Sequence, residues 1–233
     1  MVLLAKLLAA HFIGDYLLQP KSWVAAKESR VWRAPQLYLH TLIHLLLILL
    51  IIDQPGFLPY ALLIAASHLI IDGLKVRFQT EQTRTFWYFT DQALHVAVLL
   101  IVWNRTTPAD ILFGTLWQPD YWIPLAAFLF LTMPAATIIR FVMLRWTTSI
   151  DETRDESLKD AGTMIGILER LFIFFSILGG FWQTIGFLLA AKSVFRFGDL
   201  TRAKDRKLTE YIMIGTLLSF SLAVAVSLLV LHV

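Results

Sequence analysis

Residues 38–50 read YLHTLIHLLLILL. The run holds no charged side chain and belongs to an apolar segment over 36–53. A helix of that length reaches most of the way across the roughly 30 Å hydrocarbon core of a bilayer. It also carries His40 and His44 one helical turn apart. Imidazoles in lipid are unfavourable unless something holds them. The stretch therefore predicts a membrane helix and, with it, a ligand.

The whole chain agrees with the first half of that reading. It has 233 residues, 58% of them hydrophobic and only 16% charged, with a mean hydropathy of +0.67. A soluble domain of this size needs far more charged surface. Cysteine is absent, which excludes disulfides and thiolate metal sites. The first apolar run contains Asp15 and lacks a basic start, so it is expected to be a membrane helix and not a cleaved signal. No glycine-rich phosphate loop, serine elbow or nucleic-acid module is present.

Apolar segments fall near 2–18, 36–53, 57–76, 86–103, 121–144, 162–178, 181–197 and 208–231. The expected fold is an all-α, polytopic integral membrane bundle of about eight transmembrane helices. Pro55–Gly56 and Gly179–Gly180 mark turns; a chain running through Gly179 as one kinked helix would instead give seven spans. The positive-inside rule favours eight. With eight spans, every Lys and Arg except Lys6 and Arg105 falls on one side, and both termini lie on the other, outside the cytoplasm. Two units are expected, 1–104 and 105–233, each of four helices.

The first unit carries four pairs of ligand-type residues, each in a four-residue step: His11/Asp15, His40/His44, His68/Asp72 and Asp91/His95. Such a step stacks two side chains on one helix face. The first and third helices end near their pairs, whereas the second and fourth begin near theirs, so all four pairs share one depth. AAHFIGDYL also echoes AASHLIIDGL, and YLHTLIHLLLILL echoes FTDQALHVAVLLI. This suggests two repeated helical hairpins around a pseudo-two-fold axis. Single polar residues in membranes often only glue helices together, at roughly 0.6 kcal/mol on average. Four pairs at one depth point instead to a centre for one or two divalent ions. Imidazole with carboxylate suits zinc, iron or manganese. Asp15, Asp72 and Asp91 are candidates for bridging the ions, orienting the histidines or acting as general base.

The second unit holds charges inside apolar runs: Glu169 and Arg170, Lys192 and Arg196, Glu210 at the start of the last segment, and Arg140. Arg170, Lys192 and Arg196, with Lys75 of the first unit, are candidate binders of an anionic substrate. The alternative is that they snorkel to the interface. The loop QPKSWVAAKESRVWRAPQ, with two tryptophans among basic residues, suits an interfacial segment over anionic headgroups or a lid over the centre.

On HFIGDYLLQ, HTLIH, SHLIIDGLK and TDQALH, the chain resembles a bacterial membrane-protein family known as domain of unknown function 3307, over about half its length. That resemblance implies the bacterial inner membrane but brings no activity with it. The His- and Asp-bearing helices are also loosely similar to membrane-bound metal-dependent hydrolases. The resulting expectation is a membrane-embedded metal-dependent hydrolase acting on an anionic amphiphile or phosphorylated substrate, with membrane lipids as partners and no nucleic acid. A divalent-metal or proton transporter and a di-iron oxygenase are the alternatives.

Overall fold

The structure is a computed structural model and describes residues 1–106, 121–147, 161–194 and 203–233. It is built of helices, and no strand occurs among the described residues. The chain separates into two compact units, Met1–Ala126 and Ala127–Val233.

In the first unit, α1 (Val2–Phe12) passes directly into a π turn, Ile13–Leu17, in which Leu18 N–H bonds the Ile13 carbonyl. Pro20 then opens α2 (Lys21–Arg30), which leaves the first helix at an angle of 83°. A short 3₁₀ turn, Val31–Arg33, follows, and Pro35 starts α3 (Pro35–Ile52). Proline suits that first helical position because its missing N–H would be unpaired there anyway. Asp53 ends α3 in the left-handed region. After a 3₁₀ turn at Pro55–Phe57 come α4 (Leu58–Phe78) and α5 (Arg84–Arg105).

α1 packs on α3 and α5, and α4 packs on the same two, so the four helices close into a ring. Each inner face is a single stripe: Leu37, His40, His44, Ile48 and Ile52 on α3, or Asp91, His95, Leu99 and Val102 on α5. Because neighbouring helices alternate in direction, these stripes divide the core into two layers. Leu7, Ile48, Ile64, Leu99 and Phe57 make the apolar layer. The histidines and aspartates make the other.

α6 (Trp122–Leu131), which begins in the first unit and ends in the second, and α7 (Met133–Thr147) are the two halves of one expected span, broken at Thr132. Pro134 explains the break, since it cannot donate to a carbonyl one turn back. α8 (Ala161–Leu178) ends at the glycine pair, with Gly180 at φ 79°, a conformation free of steric cost only for glycine. α9 (Gln183–Val194) and α10 (Ala203–His232) follow. Leu131, Ile173, Phe174, Ile177 and Phe220 form this unit's core.

Among the described residues six helices are long and apolar enough to cross a membrane: α3, α4, α5, α6 with α7, α8 and α10. Counting the bent pair α1–α2 as one span makes seven. The described part of α9 has 12 residues, about 18 Å of helix at 1.5 Å per residue, which is short of the bilayer core. Residues 195–197 of that expected segment lie outside the described part. The outward exposure of Leu50, Leu62, Ile101, Phe175 and Leu229 fits helices that face lipid. Several apolar helices of this length suggest a membrane protein.

Candidate metal centre

All eight residues of the four pairs meet in one cluster inside the first unit. Seven are buried, and the side chain of Asp15 is only 10% exposed. The π turn brings Asp15 in. By taking one extra residue per turn it aims that carboxylate across the bundle at α3, and π turns often occur at functional sites. Asp15 Oδ1 lies 3.2 Å from His40 Nε2, 3.0 Å from His44 Nε2 and 3.6 Å from His68 Nε2. His11 Nε2 stands 3.7 Å from the other oxygen, beyond hydrogen-bond reach, so Asp15 serves α3 before its own helix.

On the opposite side, His95 Nε2 is 3.3 Å from Asp91 Oδ1 and 3.6 Å from Asp72 Oδ1. His40 and His68 bring their Nε2 atoms within 3.1 Å of each other, and the rings of His68 and His95 stack at 4.0 Å. Every one of the five imidazoles thus turns Nε2 toward the carboxylates. Three overlapping groups have donors placed so that they could hold a metal ion: His11, Asp15, His44 and His68; His40, His68 and Asp72; and Asp72, Asp91 and His95. Within each group the donor atoms lie within 4.8 Å of one another.

The donor set leaves buried polar atoms unsatisfied. His11 Nε2, His95 Nε2 and Asp91 Oδ1 are buried and have no hydrogen-bond partner. Buried polar groups without partners are rare and need an explanation. A void of about 10 Å³ touches His11, His44, His68 and His95, room for roughly one water-sized sphere.

Several residues of the centre were hidden in the sequence. Lys27 of α2 is 4% exposed and forms an ion pair with Asp72 Oδ2, although in the chain it reads as one more basic loop residue. Lys75, expected to meet substrate, instead bonds Asp91 Oδ2 at 2.9 Å. Each lysine takes one carboxylate oxygen and leaves the other facing His95. Gln92 donates to Asp15 Oδ2 (3.0 Å) and Asp91 Oδ2 (3.1 Å), and accepts from the Tyr16 hydroxyl, which shares a 2.6 Å hydrogen bond with Tyr88.

α2 covers the polar layer. Besides Lys27, its Glu28 accepts hydrogen bonds from Gln79 and Arg84, and Trp32 lies flat where Gly73 has no side chain. Val31, between these anchors, has φ 50°, an unfavourable conformation for a β-branched residue. It persists because the chain is pinned on both sides. α2 is part of the loop expected either at the interface or over the centre, and it packs on α3 and α4.

The remaining candidates lie in the second unit. Arg170 is 2% exposed and fastened to the helix break: Nε donates to the Leu131 carbonyl (2.7 Å), Nη2 to Thr132 O (3.1 Å) and Nη1 to Ser219 Oγ (3.0 Å). Lys192 pairs with Glu169 at 2.7 Å. Arg196 lies outside the described residues.

A family model described as Protein of unknown function (DUF3307) matches residues 3–123. No curated protein and no solved structure matches the chain. The matched residues take in the whole ring α1–α5 with its His and Asp cluster, and they make up just over half of the sequence, so the chain belongs to the DUF3307 family.

Proposed function

We propose that the cluster binds one or two divalent ions, zinc in the first place, and that the protein is a membrane-embedded metal-dependent hydrolase. The observation that carries the metal reading is the convergence of five Nε2 atoms on three carboxylates, with His11 Nε2, His95 Nε2 and Asp91 Oδ1 buried and unpartnered. The donors fit: nitrogen and oxygen without sulfur suit zinc, iron or manganese. His11, Asp15, His44 and His68 would hold one ion, and Asp72, Asp91 and His95 a second. A bound ion supplies Lewis acidity and a water of lowered pKa.

The chain's own groups do the rest. Lys27 and Lys75 fix the rotation of Asp72 and Asp91, so that one oxygen of each stays directed at the centre. Gln92 holds Asp15 and Asp91 at a set distance, and its link to Tyr16 and Tyr88 keeps the amide oriented. Asp91 Oδ1, which faces His95 Nε2 at 3.3 Å and is left clear by Lys75 and Gln92, would serve as general base in a centre holding only the first ion. Water and substrate reach the polar layer by displacement of α2, which blocks it.

The substrate class is an anionic amphiphile or phosphorylated compound, in keeping with the excess of Lys and Arg along the loops. The protein sits in the bacterial inner membrane, with membrane lipids as partners. Eight crossings place both termini outside the cytoplasm, with Val2–Leu17 as the first and the segment containing α9 as the seventh. The ring order supports the repeated hairpins, since exchanging α1 with α4 and α3 with α5 reproduces the same neighbours. A second reading, passage of protons or a divalent cation, is favoured by the two lysines, whose ammonium groups already occupy carboxylates that a cation would use.

Metal analysis of the detergent-purified chain tests the proposal. The expected result is one to two equivalents of zinc, lost in His11→Ala and His68→Ala variants that still elute as folded protein. Absence of any metal from wild type, with none taken up on titration, overturns it. Stoichiometric iron with an oxo-bridge absorption band would replace hydrolysis by oxygenation, and uptake into proteoliposomes would replace it by transport.

A further inference from the structure

The second unit contains a cavity of about 500 Å³, bounded by α7, α8, α9 and α10. That volume lies within the ordinary range for small-molecule sites. It exists because glycines stand where side chains would fill it. A Cβ at Gly162 would meet nothing within 4 Å, and one at Gly215 would only touch the Met143 side chain, 3.7 Å away.

The walls differ in character. Ile139, Met143, Ile165 and Ile212 give apolar surface, while Arg140, Glu169, Arg170 and Lys192 gather charge. Glu169 and Lys192 neutralise one another through their ion pair. Glu169 also acts on Arg170 through its charge, but its oxygen is taken by Lys192. Among the described residues no carboxylate pairs with either arginine. Arg170 spends three donors on neutral oxygens, one of them each on Leu131, Thr132 and Ser219. A guanidinium has five N–H donors, so two remain. Arg140 makes a cation–π contact with Phe141 at 5.5 Å and otherwise lies open on the rim. A lining of net charge +2 beside apolar walls, within a membrane, calls for a counter-charge that carries its own apolar portion.

We infer that this cavity binds an anionic amphiphile, a membrane lipid whose negative head lies against Arg140 and Arg170 and whose chain lies along Ile139, Met143 and Ile212. The site belongs to the second unit alone, and it holds whether or not the His and Asp cluster takes a metal.

The test uses the full chain in nanodiscs of phosphatidylcholine containing either phosphatidylglycerol or further zwitterionic lipid, followed by release into detergent and native mass spectrometry. Wild type is expected to keep one phosphatidylglycerol in preference to phosphatidylcholine by roughly tenfold, a preference that one or two basic residues near a headgroup supply. Arg140→Gln, on the exposed rim, gives up only the cation–π contact with Phe141 and should abolish most of that preference. Gly215→Leu, which fills the cavity and keeps the charges, should expel the lipid altogether. Inorganic phosphate alone should leave the melting temperature unchanged. Equal retention of both lipids by wild type, or unchanged retention in both variants, overturns the inference, as does a phosphate-induced shift without any phosphatidylglycerol retention. Metal content should be the same in wild type and both variants, which separates this result from the fate of the metal proposal.

Discussion

Gly14 sits where the imidazole of His44 leaves no room for a methyl group. The glycine lies within the π turn, one residue before Asp15, so the same position lets α3 approach and lets the carboxylate point across. Gly14→Ala must therefore move His44 or unwind the turn. Overpacking of this kind costs about 1–3 kcal/mol, and we expect a lower melting temperature together with loss of part of the bound metal. Unchanged melting and unchanged metal would mean that the His44 ring does not rest on this glycine. At the same scale, the four His and Asp pairs were legible in the sequence because ionisable groups stand out in apolar runs and their four-residue step survives any small error in helix ends. Lys27 was not legible. In a hydrophilic, basic segment nothing distinguishes a lysine that reaches a buried aspartate from one that remains in water.

Helices show a similar division between what the sequence discloses and what it conceals. Turns at Pro55–Gly56 and Gly179–Gly180 follow from residue type, and both appear where expected. The π turn does not follow from residue type, since it needs only one extra residue per turn and Ile13–Leu17 reads as ordinary helix. The break between α6 and α7 is visible as Pro134, yet its consequence is distant: Arg170 on α8 donates to the carbonyls of Leu131 and Thr132 beside it. This coupling can be measured. Arg170→Lys loses the fork geometry and should destabilise the second unit, whereas Pro134→Ala restores a backbone donor and straightens the span. The double variant should be more stable than the sum of the two single effects predicts, by roughly 0.5–3 kcal/mol in a double-mutant cycle. Strict additivity in thermal melts would show that Arg170 does not act through the break.

For the whole molecule, charge distribution and helix count bear on each other. Six or seven spans are evident among the described residues, and the eight-crossing topology adds the segment of α9. Absence of cysteine makes the distinction simple to test with single-cysteine variants and a membrane-impermeant maleimide. With eight crossings, Val2→Cys and His232→Cys both label from outside the cell, and Ser29→Cys labels only after the cytoplasmic face is opened. Labelling of Val2→Cys and His232→Cys from opposite sides would leave an odd number of crossings and remove the proposed topology. The bundle of apolar helices was legible because lipid imposes length and composition on every span. The cavity of the second unit was not legible, because it depends on how α7 to α10 leave space around glycines, which no periodicity reports.

Lys27 and Asp72 are 45 residues apart, which sets an order on biogenesis. When α1 and α2 leave the ribosome, the aspartate that will hold the lysine has not been synthesised. α2 cannot make this ion pair until α4 has been synthesised. Closure of α2 over the polar layer is thus a late step of assembly. Until it happens the histidines remain open to the solution, so an ion would enter the nascent protein more easily than the finished one.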